Sequence, residues 1–127
     1  MAKLLIDTDV LIDYLRDRAE SVTYLESQPL PLLISAITVA ELYAGVRDGA
    51  ERATLDQFIN SFQVIAIDAE IASRAGSIRR DFGKRHGTGL ADAIIAATAE
   101  SQQADLVTLN SKHFQMLKDV LVPYQKA

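Results

Sequence analysis

Residues 4–16 of the chain read LLIDTDVLIDYLR, in which a short apolar run passes directly into an acidic segment and then into an amphipathic pattern. An apolar run of this length without polar alternation is typical of a strand that is buried on both faces. The apolar residues that follow recur at helical spacing and predict a helix over 9–16. A strand that leads at once into a helix is the repeating unit of α/β proteins, and we therefore expect this fold class.

The rest of the chain repeats this alternation. Apolar runs predict further strands at 32–34, 64–67, 106–107 and 120–122. Helical spacing predicts helices over 39–46, 54–61, 69–85 and 90–102. Short strands separated by helices favour a mainly parallel sheet of four or five strands with helices on both faces, which is a three-layer α/β/α sandwich. Ligands of such folds bind beyond the carboxyl ends of the strands, near the point where the strand order reverses.

The composition is that of a globular protein with one core. The chain has 127 residues, of which 49% are hydrophobic. This length matches the commonest size of a single domain, so we assign residues 1–127 to one domain. No apolar run approaches the ~20 residues of a membrane span, and the apolar residues after Lys3 are too few for the core of an export signal. We therefore predict a protein that makes no membrane contact.

The absence of cysteine narrows the possible chemistry. A chain without Cys can form no disulfide, no Cys-ligated zinc site and no thiol nucleophile, which leaves oxygen or imidazole ligands. It also fits a reducing cytoplasm, where we expect the protein to be located. The net charge of −4 is opposite to that of many nucleic-acid-binding proteins, an objection that weakens if the acids surround a bound cation.

Three acidic residues fall at one predicted rim of the sheet. Asp7 directly follows the first strand, Glu41 lies near the start of the second predicted helix, and Asp92 lies near the start of the last one. Asn110 comes just beyond the strand at 106–107. Because the carboxyl ends of parallel strands meet at one edge, these four side chains are expected to share a site.

Each acid also has a simpler interpretation as a helix cap. Asp7, Thr8 or Asp9 could cap the helix that follows the first strand. The segment 38–41 matches a capping box, in which Glu41 would bond back to the backbone N–H of the cap residue. Asp92 is favoured near a helix start by the helix dipole. For any one of these residues alone, the sequence favours the capping role, and only the coincidence of all three favours a shared site.

Converging carboxylates need a compensating charge. Two of them ~4 Å apart repel each other by roughly 4 kcal/mol at an effective dielectric constant near 20. Proton uptake by one carboxyl group or the binding of a divalent cation would relieve this repulsion, and oxygen ligands suit Mg²⁺ or Mn²⁺. We favour the metal, which would lower the pKa of a bound water.

Four segments together carry a resemblance to a known family. The chain resembles the PIN-domain ribonucleases, and within them the VapC-like toxins of toxin–antitoxin pairs, in LIDTDVLIDYL (5–15), ISAITVAELYAG (34–45), GLADAIIAATA (89–99) and LVTLNSKHF (106–114). The resemblance extends over almost the whole chain, in the order and approximate spacing of the family. It implies a metal-dependent endoribonuclease that hydrolyses RNA in line and leaves 5′-phosphate and 3′-hydroxyl ends.

The resemblance also assigns roles to particular residues. Asp7, Glu41 and Asp92 match the three invariant metal-binding acids, with Asp7 and Asp92 as the main ligands. Asn110 matches a fourth position that is Asp in some members and Asn in others, where it would orient a water rather than add charge. Small polar positions that line the site of the family are matched by Thr8, Ser35, Thr38 and Thr108. Asp9, where the family often has Asn or Ser, is either an accessory acid or a cap.

The resemblance implies partners as well. It predicts a VapB-like antitoxin whose tail fills the acidic groove, and a homodimer. Tyr14, Tyr43 and Phe58 could contribute to such contacts, although burial in the core is the more common fate of residues of this kind.

An acidic site that cleaves RNA also needs nearby cations. The densest basic stretch of the chain lies at the end of the long predicted helix and includes Arg79, Arg80, Lys84, Arg85 and His86. We consider Arg79, Arg80 and Arg85, together with Arg16, as RNA-binding candidates. The alternative is that these residues form only the solvated end of a helix. His86 and His113 lack the paired spacing of metal ligands.

Two other functions remain open on the sequence. Asp7 and Asp9 after a strand imitate the Asp-x-Asp motif of haloacid dehalogenase-like phosphatases, in which Asp7 would be the nucleophile and Thr108 and Lys112 would imitate later motifs. Leu11 departs from that pattern. A receiver-like binding module would fit the size and the α/β alternation, but it needs a phosphoacceptor Asp at the end of a central strand, and Asp56 falls in a helical pattern.

Overall fold

The computed structural model describes residues 3–29 and 31–125, and it has the expected α/β architecture. Its strands are β1 (Lys3–Ile6), β2 (Leu33–Ser35), β3 (Gln63–Ile65), β4 (Ala104–Val107) and β5 (Val120–Leu121). Its helices are α1 (Thr8–Leu15), α2 (Ala19–Glu26), α3 (Ala36–Ala44), α4 (Ala50–Ile59), α5 (Ala69–His86) and α6 (Leu90–Gln102), followed by a 3₁₀ helix (Ser111–Phe114).

All five strands are parallel and follow the order β3-β2-β1-β4-β5. Strands β2 and β3 lie on one side of β1, whereas β4 and β5, which follow α6 in the chain, lie on the other side. The strand order therefore reverses between β1 and β4. This is the position at which open α/β sheets bind ligands. The order differs from the 2-1-3-4-5 arrangement of receiver domains, so the interpretation as a receiver-like module is wrong.

The strands place alternate side chains in two separate hydrophobic cores. Leu5 and Leu33 face the layer of α5 and α6, whereas Ile6 and Ile34 face the layer of α1 to α4. Successive residues of a strand point to opposite faces, so each short apolar run serves both layers at once. The three-layer sandwich predicted from those runs is therefore confirmed.

Helices α5 and α6 form one complete layer, and the turn between them lies at the site. Asp68 caps the start of α5 by accepting a hydrogen bond from the backbone N–H of Ile71. Gly87 ends that helix in the left-handed conformation, with φ of 68°, a conformation that residues with a side chain rarely adopt. Helix α6 starts after Gly89. This reversal brings the end of α5 and the start of α6 to the carboxyl rim of the sheet.

Several details differ from the sequence-based expectations. The pattern gave no sign of α2, which buries only Ser21 and Leu25 along its length and therefore lacks a full apolar stripe. Helix α3 begins three residues earlier than predicted, because Ser35 caps it. Tyr14 and Phe58 stack with ring centroids 5.1 Å apart and pack against the core, as does Tyr43. Within the described ranges, no helix is both long and apolar enough to cross a membrane.

Candidate active site

Asp7 is the most deeply buried acid of the rim. It caps α1, since its Oδ1 accepts a hydrogen bond from the backbone N–H of Thr8 at 2.8 Å. Its Oδ2 accepts another from the Thr108 hydroxyl, at 2.7 Å, on the neighbouring strand segment. The capping interpretation is thus correct for Asp7, but it accounts for only one of the two carboxylate oxygens.

The electrostatic environment of Asp7 is unfavourable to its charge. The pKa of the carboxyl group is raised to about 7, chiefly by burial and then by the negative charges of Asp9 and, to a smaller extent, Asp92, while the two hydrogen bonds act in the opposite direction. The Asp9 carboxylate itself accepts a hydrogen bond from the backbone N–H of Leu109 at 3.1 Å. Asp9 therefore ties α1 to the segment after β4 and adds negative charge beside Asp7.

Glu41 joins the rim through Thr8. The Thr8 hydroxyl lies 2.6 Å from Glu41 Oε1 and 3.0 Å from the Thr38 hydroxyl. A hydroxyl has one proton, so Thr8 donates to Glu41 and accepts from Thr38. The capping-box interpretation of 38–41 is wrong, because Ser35 is the cap of α3 and its Oγ accepts from the Ile37 N–H. Glu41 lies in the middle of the helix, where no backbone N–H is free to pair with it.

We expect Thr8→Val to lower the free energy of unfolding by about 1–2 kcal/mol, since Val keeps the shape but leaves the buried Thr38 hydroxyl without its acceptor. The double variant Thr8→Val/Thr38→Val should recover part of this loss, because both polar groups are then gone. Urea unfolding of the two single variants and the double variant measures the coupling. Purely additive losses would contradict the chain of hydroxyl groups.

Asp92 lies near the start of a helix, as the capping interpretation expects, and it also contacts another residue of the rim. It is the third residue of α6, and the Gly89 N–H approaches its Oδ2 at 3.4 Å, which is a long capping contact. The same oxygen lies 3.2 Å from His113 Nδ1. The negative charge of Asp92 also contributes to the raised pKa of Asp7, so the two carboxylates interact electrostatically at the rim.

His113, which lacks the paired spacing of a metal ligand, is nevertheless a neighbour of this site. Its Nδ1 lies 2.9 Å from the side-chain amide of Asn110 as well as close to Asp92. The backbone N–H of Asn110 donates to the Thr108 hydroxyl at 3.0 Å, the same hydroxyl that donates to Asp7. The spacing of three residues between Asn110 and His113 in a single helical turn was the available signal for this contact.

These acids form a site of excess negative charge, although they do not form a closed ligand cage. Among residues 3–29 and 31–125, no three acidic or histidine side chains lie close enough together to ligate one ion as they stand. Burial and the negative charges of Asp9 and Asp92 nevertheless raise the pKa of Asp7, and the groups that lower it are hydrogen-bond donors rather than cationic side chains. Hard carboxylate and hydroxyl oxygens with surplus negative charge are the donor set that suits a small divalent cation.

The four arginine candidates have different surroundings. Arg80 forms an ion pair with Asp81 on the surface of α5, with 2.9 Å between Arg80 Nε and Asp81 Oδ1. The guanidinium group of Arg79 lies over Gly83 of the same helix. Arg16 lines a groove that reaches Glu41. Arg85 is exposed near the end of α5 and lines a small cavity beside His113.

A groove lies beside Glu41. It has a volume of about 530 Å³ and runs between α1, α3 and the start of α4. Its lining is largely apolar and includes Ile12, Leu15, Leu42, Val46 and Leu55, with the polar side chains of Arg16, Glu41 and Glu51 among them. An apolar groove that ends at a carboxylate fits a peptide segment better than a polyanion.

Comparison with known proteins identifies relatives along almost the whole chain. The family model of the PIN domain matches residues 4–118. The chain is 40% identical to Ribonuclease VapC10 of Mycobacterium tuberculosis, over 95% of this chain and 92% of that protein. It is 35% identical to Ribonuclease VapC1 of Methanocaldococcus jannaschii, over 93% of this chain and 83% of that protein.

Solved structures show the same similarity. A toxin–antitoxin complex from Klebsiella pneumoniae contains a chain that superposes with a TM-score of 0.86 at 32% identity, over 98% of this chain and 100% of that one. DNA-bound VapBC from Salmonella typhimurium superposes with a TM-score of 0.77 at 26% identity, over 95% of this chain and 96% of that one.

Proposed function

We propose that Asp7, Glu41 and Asp92 hold a divalent cation that takes part in the reaction. The chain belongs to the PIN-domain family and is a ribonuclease of the VapC type. Relatives of this type are solved as toxin–antitoxin complexes, so the protein is the toxin of such a pair. The observation that carries the proposal is the buried Asp7 carboxylate beside the negative charges of Asp9 and Asp92, because burial and these two neighbours all disfavour its charge unless a cation binds.

The chain supplies the ligands and fixes their directions. Thr108 and the Thr8 N–H each hold one oxygen of Asp7, which leaves the remaining lone pairs of the carboxylate for a cation. Asp92 faces the same space from α6. Glu41 is held by Thr8 and lies further out, so it would act through water. Mg²⁺ or Mn²⁺ fits this oxygen-rich set.

A divalent cation bound here would lower the pKa of an attacking water and neutralise the charge that develops on the phosphate oxygens. The water oxygen attacks phosphorus in line while the bond from phosphorus to the 3′ oxygen breaks, so the products carry a 5′-phosphate and a 3′-hydroxyl. Asn110, held by His113 and by the Thr108 hydroxyl, orients the water. An RNA substrate also favours the cytoplasmic location.

We propose that the groove beside Glu41 is the binding site of the antitoxin. Its apolar lining offers a surface for a hydrophobic segment, and Glu41 offers a carboxylate to a basic side chain at the end of that segment. Such a segment would cover the acidic rim and exclude RNA. We also propose a homodimer, for which large hydrophobic residues such as Val64, Ile67 and Leu90 remain exposed.

The phosphatase alternative has no support among the relatives. Those compared above are ribonucleases or chains of toxin–antitoxin complexes. Asp7 is also bonded through both of its oxygens to the protein, which does not favour its use as a nucleophile.

The test of the metal proposal is removal and replacement of divalent cations. Protein stripped with EDTA and dialysed should cleave RNA at a rate below detection, and Mg²⁺ or Mn²⁺ should restore cleavage, because the acids alone lack a positive centre to activate water. Cleavage is measured on end-labelled RNA, and the ends of the products are identified enzymatically. Equal cleavage in excess EDTA, or products with a cyclic phosphate, would contradict the proposal.

A further inference from the structure

A basic cavity lies on the other side of His113 from the acidic rim. It has a volume of about 290 Å³ and is lined by Arg85, His86 and Gly87 at the end of α5 and by Lys112 and His113 of the 3₁₀ helix. Among the described residues, no acidic side chain is part of its lining. A concave surface with cationic and imidazole groups and no carboxylate favours an anionic ligand.

The two walls of the cavity are held together by specific contacts. The Thr88 hydroxyl donates a 2.6 Å hydrogen bond to the backbone carbonyl of His113, which joins the end of α5 to the 3₁₀ helix. The left-handed turn at Gly87 lets these walls approach closely, since a Cβ atom at that position would lie 3.2 Å from His113 Nε2. The cavity is therefore fixed by the backbone of two segments that are distant in sequence.

The cations of the cavity form no ion pair, unlike several arginines elsewhere in the described chain. Arg74 pairs with Glu100, Arg80 with Asp81 and Arg47 with Glu51. Over residues 3–29 and 31–125, neither Arg85 nor Lys112 forms an ion pair. The dipole of α5 favours basic residues at the end of this helix, which accounts for Lys84, Arg85 and His86. It does not account for the position of Lys112 in the opposite wall, because Lys112 belongs to the 3₁₀ helix.

His113 separates this cavity from the proposed catalytic acids. Its ring lines the cavity and its Nδ1 lies 3.2 Å from Asp92 Oδ2. A phosphate group in the cavity would thus lie one side chain away from a phosphate group at the acidic rim. Two neighbouring sites of this kind suit adjacent phosphate groups of one nucleic-acid strand.

We propose that the cavity formed by Arg85, His86, Lys112 and His113 binds a backbone phosphate of the RNA substrate next to the phosphate that is cleaved. This subsite rests on the proposed function and specifies how an acidic protein holds a polyanion. Arg85 presents a planar fork to phosphate oxygens, and Lys112 adds a point charge from the opposite wall. These contacts position the strand and do not read its sequence.

The test measures RNA binding without cleavage, so that it does not depend on the metal proposal. Arg85→Gln/Lys112→Gln is compared with Arg74→Gln/Lys118→Gln, a control pair with the same change in charge at residues outside the cavity. The dissociation constant of a labelled single-stranded RNA is measured by fluorescence anisotropy in EDTA at several salt concentrations. Circular dichroism confirms that each variant is folded.

We expect the cavity variant to bind RNA at least about tenfold more weakly. It should also lower the slope of log K against log salt by about 0.7, because one backbone phosphate of the strand is no longer neutralised by the protein. The control pair should change neither quantity by a comparable amount. In a cleavage assay the cavity variant should raise KM and leave kcat near that of the unsubstituted protein. Equal effects of the two pairs would overturn the proposal.

Two further outcomes separate the possible failures. If inorganic phosphate binds to the unsubstituted protein and not to the cavity variant while RNA binding is the same in both, the cavity is a free-phosphate site and the proposal is wrong. If RNA binds as expected but cleavage proves independent of metal, the subsite stands and the metal proposal fails.

Discussion

Asp7→Asn is expected to reduce the rate of RNA cleavage by at least ~10³-fold, which corresponds to about 4 kcal/mol of lost transition-state stabilisation. The substitution keeps the shape of the side chain and the acceptor for the Thr8 N–H, but it removes the charge that faces Asp92. An amide oxygen is a weaker ligand for a hard divalent cation than a carboxylate. The loss should appear in kcat, since Asp7 is buried and has little surface to offer to RNA.

A surface acid provides the matched control. Asp119→Asn makes the same chemical change at an exposed residue that directly precedes β5, at the end of the parallel strands opposite to the rim, and it should leave cleavage unchanged. The assay follows cleavage over a range of Mg²⁺ concentrations to separate weaker metal binding from slower chemistry. Retention of more than a tenth of the activity by folded Asp7→Asn would contradict the assignment of Asp7 as a ligand.

The second expected effect concerns stability rather than activity. In the metal-free protein, the pKa of Asp7 is raised to about 7, against 3.8 for the ordinary side chain. Between these values the folded state binds more protons than the unfolded state, so Asp7 makes stability fall as the pH rises from about 4 to about 7. Above that range its unfavourable contribution is constant, on the order of 4 kcal/mol.

Asp7→Asn should remove this pH dependence. In EDTA, the variant should be more stable than the unsubstituted protein at pH 8, and this advantage should shrink toward pH 4 and vanish below about pH 3, where the unsubstituted carboxyl group carries a proton in both states. Urea unfolding at a series of pH values measures the difference, because titrating groups remote from Asp7 contribute equally to both proteins. An advantage that does not vary with pH would show that Asp7 ionises at its ordinary pKa.

In the presence of a divalent cation, the unsubstituted protein should become more stable than Asp7→Asn at pH 8. Added Mg²⁺ or Mn²⁺ at pH 8 should stabilise the unsubstituted protein, because it binds the folded state alone, and should stabilise Asp7→Asn much less. The two experiments together separate the electrostatic penalty at Asp7 from the ability of the rim to bind metal.

The fold was predictable because its signals are local. Short apolar runs such as 4–6 and 32–34 each supply side chains to two cores, and this produces strands without polar alternation. The position of Asp7 followed directly from the strand that precedes it. The strand order was not predicted, since apolar periodicity does not show which strands are neighbours.

The details of the site were less accessible, because they depend on contacts between distant segments. Glu41 matched a capping box locally, but Ser35 moved the start of α3 and the Glu41 carboxylate bonds instead to Thr8, 33 residues away. Nothing in the sequence around His113 shows that it would lie beside Asp92. Helix α2 was missed because its buried residues are too few to give a clear period.

The hydrogen bond between Asp7 and Thr108 joins residues that are 101 positions apart in the chain. Until β4 has paired with β1, Asp7 has neither its second hydrogen bond nor the neighbouring wall of the rim. A partly folded chain that contains β1, β2 and β3 alone therefore lacks the support of Asp7, and we expect the site to form only in the last step of sheet assembly.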